Sequence, residues 1–400
     1  MARTSGVVQA ASEHAGTSAR GGYRITPEMR LEWRGGAVDL TFFIGSRRMG
    51  RSYAYSHDGH LFQAPVGFYA NRNLWDLAPG YERDPKPDFG RPITAECLFC
   101  HATGARLEPG TVNRYREMVH GIQCARCHGN ATEHEQLVNP AKLAPRLRDS
   151  VCEQCHLSGA ARIVRAGKRM DDFRAGEDIA EYIEVLNRED ARGGVRVNGH
   201  SDALAMSRCK ESGGKLWCGT CHSPHGAAAP DYAAVCRSCH AQAHAAASAR
   251  QGDCTSCHMP KSKARDGGHT VFTDHSLRVK AVAPRPGSYF GRAAGARDLG
   301  LAYVEMGRTR RDTEYFEKAW PLLRKAAEAN PRDPALYAAI GRMLEADGRR
   351  EQAVRYYRVS LDQDPLQPDL LNRLAEALGG SSAEAKRLRE RSAEMLPRPF

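Results

Sequence analysis

The chain has 400 residues, enough for two or three domains. Only 7% of them are aromatic, which is thin for a conventional side-chain core, and no apolar run reaches the 18 residues of a membrane-spanning helix. A formal charge of +11 calls for acidic partners.

Residues 1–22 are polar, contain His14, and lack the apolar stretch of a secretory signal. From Tyr23 to Tyr69 apolar positions alternate (Tyr23, Ile25, Leu31, Trp33, Val38, Leu40, Phe42), with turn signals at Gly35-Gly36 and Asp58-Gly59. That period of two predicts a small antiparallel sheet of hairpins. Residues 70–96, rich in Pro, Asp and Arg, read as a loop. Between the motifs that follow, Thr111–His120 reads as helical; further on, Asp178–Leu186 reads as a short helix and Gly193-Gly194 as a break. Lys261 to Pro286 reads as a basic connector.

Beyond about residue 290, Ala, Leu, Glu and Arg recur with helical period. A 34-residue unit runs from Pro334 to Gln367, with Tyr337, Ile340, Gly341, Leu344, Ala353, Tyr357 and Pro365 at tetratricopeptide positions. A preceding unit carries Leu299, Gly300, Tyr303, Gly307, Ala319, Leu323, Ala326 and Pro331, and a degraded third runs from Pro368 to Pro397. Three units are about the minimum for a stable stack. A plain helical hairpin domain is the simpler alternative. Such a stack binds a partner or packs on its own chain.

The chemistry lies in one pattern, C-x-x-C-H, present six times: Cys97/Cys100/His101, Cys124/Cys127/His128, Cys152/Cys155/His156, Cys218/Cys221/His222, Cys236/Cys239/His240 and Cys254/Cys257/His258. The first cysteines of the last three lie 18 residues apart. This is the attachment signal for c-type haem: two thiols add to the porphyrin vinyl groups and the adjacent histidine falls under the iron. Zinc knuckles require no fixed residue after the second cysteine, and disulfides leave the histidines unexplained. A redox C-x-x-C needs a βαβ setting that is absent from the pattern. The reading is therefore six covalent haems, with a folding dependence like that of metal-coupled domains. Their propionates are acidic partners for the basic chain, so no nucleic-acid partner is expected. Only 13 residues separate His222 from Cys236, about 20 Å if helical at about 1.5 Å per residue, so neighbouring haems must lie close.

Iron with histidine on both faces carries electrons, whereas an open face can do chemistry. Ten of the 16 histidines remain after the six proximal ones. Candidate distal ligands are His14, His120, His134, His200, His225, His244, His269 and His275; His57 and His60 fall in an expected hairpin turn, and Met259 points away from the haem its neighbour serves. His225, three residues past His222, cannot reach round its own haem and would serve a neighbour. Supply covers demand, which favours an electron carrier over an enzyme. The alternative is an oxidoreductase acting on a small nitrogen or sulfur species at one open haem. A scaffold with purely structural haems is a third reading, disfavoured by their close spacing. Cys209, the thirteenth cysteine, reads as a buried free thiol or a thiol beside a haem.

The run His120-Gly-Ile-Gln-Cys-Ala-Arg-Cys-His-Gly, then Glu133-His134, Val138–Leu143 and Cys152–His156, resembles the nitrifier-type tetrahaem cytochrome c family and its multihaem relatives. So do Cys218–His225 and His269–His275. The whole chain is similar to bacterial proteins that join such a domain to tetratricopeptide repeats. The resemblance implies an exported electron-transfer protein with mostly bis-histidine haems. In that family an early motif is commonly followed by a segment like Met1–Gly6, so Met1 is expected to be internal, with a signal peptide and a further motif upstream. C-x-x-C-K, the hallmark of pentahaem nitrite reductase catalytic sites, is absent from the sequence.

The expected fold class is mainly α: a loop-rich multihaem domain with a small N-terminal antiparallel sheet, then an α-solenoid of helix pairs. Its divisions are 1–96 (N-terminal segment with the sheet), 97–286 (six-motif cytochrome domain) and 287–400 (tetratricopeptide domain). The expected location is periplasmic or extracellular, with redox proteins as partners docked through the repeats.

Overall fold

The alternating positions between Tyr23 and Tyr69 form strands in a computed structural model of the chain, which describes residues 4–8, 17–46, 48–82, 88–129, 137–187, 194–211, 215–225, 230–240, 253–277 and 287–400. His14, His134 and His244 lie outside the described residues. Strands β1 (Ser5–Val7), β2 (Thr17–Ala19), β3 (Tyr23–Ile25), β4 (Arg30–Trp33), β5 (Gly36–Asp39), β6 (Phe42–Ser46), β7 (Gly50–His57), β8 (His60–Tyr69) and β9 (Leu74–Leu77) build two antiparallel sheets. One is a meander in the order β2-β3-β4-β5, the other has the order β1-β6-β7-β8-β9. Tyr23, Ile25 and Leu31 of the first sheet share one core with Tyr53, Phe62 and Trp75 of the second. The β7–β8 hairpin turns at Asp58 (φ 49°) and Gly59 (φ 80°), two left-handed residues whose twist suits a two-residue turn.

The motif region follows with α1 (Ala95–His101), β10 (Ala102–Leu107), β11 (Tyr115–His120), α2 (Ala125–His128), α3 (Pro145–His156), β12 (Ala161–Val164), β13 (Ile183–Leu186), α4 (His200–Ala205), α5 (Arg208–Glu211), α6 (Cys218–Cys221), α7 (Tyr232–Arg237), α8 (Cys254–His258), β14 (Lys261–Lys263) and β15 (Val271–Thr273). Three expectations change here. The end of Thr111–His120 is strand, because Tyr115–His120 pairs with Ala102–Leu107. Asp178–Leu186 splits into a single 3-10 turn at Ile179–Glu181 and strand β13, whose β-branched Ile183 and Val185 are buried. The connector after Lys261 contains the β14–β15 hairpin. Helices and antiparallel sheets thus share the chain. The mainly-α expectation fits the part after Ala296 and understates the strands, which among the described residues are nine before the first motif rather than one small sheet.

Six helices follow: α9 (Ala296–Arg310), α10 (Glu314–Ala329), α11 (Pro334–Ala346), α12 (Arg350–Gln363), α13 (Pro368–Ala377) and α14 (Ala383–Met395). Two of them, α11 and α14, start at a side-chain cap. Asp333 Oδ1 accepts from Ala335 N ahead of Pro334, and Ser382 Oγ accepts from Ala385 N. Leu323, Leu336, Ile340, Leu344, Tyr357 and Leu371 form their common core. The α11–α12 pair occupies the 34-residue unit, and Gly341 lets the two helices close up. A Cβ on Gly341 would collide with the ring of Tyr357, which is fully buried and donates its hydroxyl to Glu345 at 2.7 Å. Gly341→Ala should therefore destabilise the helical region. Overpacking of about 1–3 kcal/mol outweighs a gain of about 1 kcal/mol in helix propensity. Thermal unfolding followed by far-ultraviolet circular dichroism reads it, and an unchanged or higher midpoint contradicts it.

This helical array is fastened to the rest of the chain at both ends. Ala302, Met306 and Tyr315 share a core with Ala161 and Leu186 of the β12–β13 hairpin. At the other end Leu396 packs on the N-terminal sheet core, and the ring of Phe400 sits 5.4 Å from Trp33 and 5.6 Å from Phe89. Among the described residues no helix is long and apolar enough to cross a membrane.

Candidate functional site

A C-x-x-C-H segment wound as a helix puts its residues i, i+3 and i+4 on one face, so both thiols and the imidazole project together. Five motifs place their first cysteine in or at the start of a short helix that runs to the second cysteine or the histidine: α1, α2 with Cys124 at its N-cap, α3, α6 and α8. In the fifth motif of the chain Cys236 lies in the last turn of α7, and Cys239 and His240 follow it. The motifs crowd together. The thiols of Cys100 and Cys155 lie close enough to shift each other's acidity, as do those of Cys152 and Cys218, and Cys254 acts on Cys236 in the same way.

The motif cysteines are not equally enclosed. Cys97, Cys124, Cys239 and Cys257 are exposed, whereas Cys100, Cys127, Cys152, Cys155, Cys218, Cys221, Cys236 and Cys254 are half-buried. Cys257, in the sixth motif, is one of the exposed four. Its partner among the described residues is the hydroxyl of the adjacent Ser256, which donates to Cys257 Sγ at 3.9 Å. Cys239 has the same arrangement with Ser238, also at 3.9 Å. The reason is local: both residues lie at the solvent side of short elements, α7 with its turn and α8, that have no large core of their own.

The histidines meet across motifs. The ring of His225 lies 5.9 Å from that of His128, centre to centre. His200, first residue of α4, lies 5.3 Å from His156 and 4.7 Å from His275. His275 lies 6.1 Å from His222. Two imidazoles on opposite faces of one metal, each bonded at about 2 Å, have ring centres about 6 Å apart. The pairs His128–His225 and His222–His275 fit that separation, and His156–His200 comes within an ångström of it. The hydrogen bonding fits as well. His128 Nδ1 lies 2.6 Å from Val138 O and His275 Nδ1 lies 2.9 Å from Thr273 O, an arrangement that leaves Nε2 for a metal. The Nδ1 atoms of His101, His120 and His200 are shielded from solvent and have no hydrogen-bond partner among the described residues.

Burial pushes the His101 imidazole down to about 4. It pushes His200 down to about 3, with help from the neighbouring His156, His275 and His222. His156 and His275 are also lowered, mainly by burial. These rings are neutral near pH 7, the form that ligates a metal.

Other predicted residues stand elsewhere. His120 ends β11 opposite Ala102, beside the first motif, with its ring 5.1 Å from Phe42. His269 has its Nε2 2.7 Å from Asp76 Oδ2, and its ring meets the edge of Tyr69 at 5.0 Å. It ties the loop between β14 and β15 to the end of the N-terminal sheet. His57 and His60 flank the β7–β8 turn as expected, and His60 Nδ1 lies 2.8 Å from Asn113 Oδ1. Cys209 lies on α5, within electrostatic range of Cys221 and Cys236.

Sequence reasoning overlooked what holds the first motif. Thr4 Oγ1 and Ser5 Oγ both donate to His101 O, at 3.0 and 2.6 Å, and Ser5 Oγ accepts from Gly121 N at 2.9 Å. It also overlooked Glu153, inside the third motif, which is buried and takes hydrogen bonds from Tyr289 (2.8 Å) and Arg146. Nothing in the local pattern marks the contacts of Ser5 or Tyr289, since their partners lie some 100 positions away.

Residues 81–129, which hold the first two motifs and His120, match the family described as cytochrome c554 and c-prime. That segment is similar to a cytochrome c. Among solved structures, MamA of AMB-1 is 27% identical over 25% of this chain and 56% of its own, with a TM-score of 0.22. A thermophilic TPR protein in Thermus thermophilus is 26% identical over 26% of this chain and 56% of its own, with a TM-score of 0.22. MamA of MSR-1 is 26% identical over 25% of this chain and 74% of its own, with a TM-score of 0.20. The chain spans little more than half the length of the first two. No curated protein matches the chain.

Proposed function

We propose that the chain is a multihaem c-type cytochrome of the nitrifier-type tetrahaem lineage that carries electrons, with six haems bound covalently at its six motifs. The observation that carries this reading is the meeting of motif histidines with histidines picked out as distal ligands, at ring separations of 5.9, 5.3 and 6.1 Å. Bound haem supplies a one-electron couple at its iron. The cysteines of each motif fix the macrocycle, the exposed Cys257 with Cys254 included, and the proximal histidines are His101, His128, His156, His222, His240 and His258. His225, His200 and His275 take the opposite faces at the second, third and fourth motifs. His120 stands beside the first motif as a further distal ligand, and His14, His134 and His244 are the candidates that remain for the others. His269, tied to Asp76 and meeting no motif histidine ring among the described residues, is placed outside that set.

In this reading residues 1–96 and 97–286 together hold the haems and cover their edges, and 287–400 is a tetratricopeptide array for docking a redox protein. Attachment of c-type haem places the mature protein outside the cytoplasmic membrane. The test is haem quantitation with electron paramagnetic resonance of the ferric protein. Six haems per chain, matching the six motifs, with low-spin signals alone, is the expected result. A high-spin component in the native protein would instead favour an oxidoreductase with one open haem. A chain that takes up no covalent haem rejects both.

A further inference from the structure

The two variable positions inside C-x-x-C-H are free to differ between motifs, and in the first three motifs they interlock. Phe99 of the first is buried beneath the guanidinium of Arg126 of the second, whose Cζ stands 4.4 Å from the ring centre. Arg126 Nη2 donates to Ala102 O, one residue past His101, at 2.9 Å. Gln154 of the third motif is buried and donates Nε2 to Arg126 O at 3.1 Å. Arg162 approaches the third motif from β12, with Nη2 donating to Gln154 O at 2.9 Å and Nη1 to Leu157 O at 3.4 Å. The Cys100 and Cys155 thiols, close to each other, both feel the two guanidinium groups.

Both arginines direct their donors to backbone carbonyls, with Arg162 also reaching Met170 Sδ at 3.7 Å. Neither makes an ion pair among the described residues; Asp171 lies within electrostatic range of Arg126 without pairing to it. Arg126 Nε is shielded from solvent and has no hydrogen-bond partner among the described residues. Two cations are thus held half-buried, without a paired carboxylate, against the attachment points of two macrocycles.

We propose that Arg126 and Arg162 set the reduction potentials of the haems attached at Cys97/Cys100 and Cys152/Cys155, as fixed cations that favour the reduced state. The inference rests on the haem reading above and goes beyond it. Oxidation removes one electron from the iron and adds one positive charge to the site, which a nearby cation opposes. At an effective dielectric of about 20, a unit charge about 10 Å away shifts such an equilibrium about tenfold. Guanidinium does not lose its proton in proteins, so the effect persists across pH.

The test is a spectroelectrochemical titration of the haem-loaded protein, poised with dithionite and ferricyanide, for the parent, R126Q, R126K and R162Q, with haem counted in each. R126Q and R162Q should each lower one or two of the potentials. The expected size is about tenfold in the oxidised-to-reduced ratio at fixed poise, about 59 mV for a one-electron couple. R126K, which keeps the charge, should stay near the parent. Unchanged potentials in haem-complete R126Q and R162Q overturn the proposal. Should R126Q fail to mature, R162Q, which lies outside every motif, decides alone. A parent chain without covalent haem fails the underlying reading instead, and the haem count separates the two failures.

Discussion

Replacing His200 with alanine will turn one low-spin haem high-spin and open it to cyanide or added imidazole. His200 is the centre of the histidine cluster, 5.3 Å from the motif histidine His156 and 4.7 Å from His275, with Phe272 at 5.8 Å. Its Nδ1 has no hydrogen-bond partner among the described residues, and burial with the surrounding histidines pushes its pKa down to about 3. A neutral, half-buried imidazole aimed among other imidazoles is arranged to bind a metal through its remaining nitrogen. Alanine at 200 removes that donor, and imidazole in solution should restore the low-spin signal. The matched control is His269→Ala. That ring is bonded to Asp76 and should change no haem signal, although loss of the bond should loosen the β14–β15 hairpin. A haem-complete His200→Ala protein that stays entirely low-spin would remove His200 from the ligands. A high-spin signal from His269→Ala would mean that its bond to Asp76 gives way in the loaded protein.

The motifs and their histidines were legible because C-x-x-C-H is a local constraint: five residues carry both the attachment chemistry and, once helical, its geometry. How enclosed each thiol is was not legible, since the exposure of Cys257 and the crowding of Cys155 depend on what packs against the motif. The helix pairs were legible for the same reason as the motifs, since the spacing of Leu336, Ile340 and Leu344 reports its own period. Strands that bury both faces or pair at a distance were not. Ile183–Leu186 reads as a continuous buried run with Glu184 in it, which no periodicity separates from a short helix. Tyr115–His120 becomes a strand because Ala102–Leu107 pairs with it. Among the histidines, nothing near His269 announces Asp76, 193 positions away. The interlocking of Phe99, Arg126 and Gln154 was equally hidden, because a motif describes these positions only as variable.

The second large effect concerns the seam between the β12–β13 hairpin and the helical array. Arg165→Met is expected to cost about 3–5 kcal/mol, the range for breaking a buried ion pair from one side. Arg165 donates Nη2 to Glu184 at 2.8 Å, Nη1 to Asp298 at 2.7 Å and Nε to Ala180 O at 2.7 Å. Glu184 is wholly buried, and among the described residues its other carboxylate oxygen takes Ser288 Oγ at 2.5 Å and Val185 N at 3.1 Å. Without Arg165 its charge is stranded in the interior. Asp298 fares better, because Arg297 still donates to it at 2.7 Å. The loss should therefore fall on Glu184, and Arg165→Met with Glu184→Gln should recover a good part of it, a non-additivity of the kind expected for directly bonded residues. Denaturant unfolding of the haem-loaded protein measures both. By contrast Arg292→Ala, which breaks an exposed pair with Glu181 at 2.9 Å, should cost about 1 kcal/mol or less through that pair. Equal losses for Arg165 and Arg292 would mean that the buried charges do not hold the array to the hairpin. The shared apolar core of Ala161, Leu186, Ala302, Met306 and Tyr315, with the bond from Arg297 to Val164 O, would then have to do so.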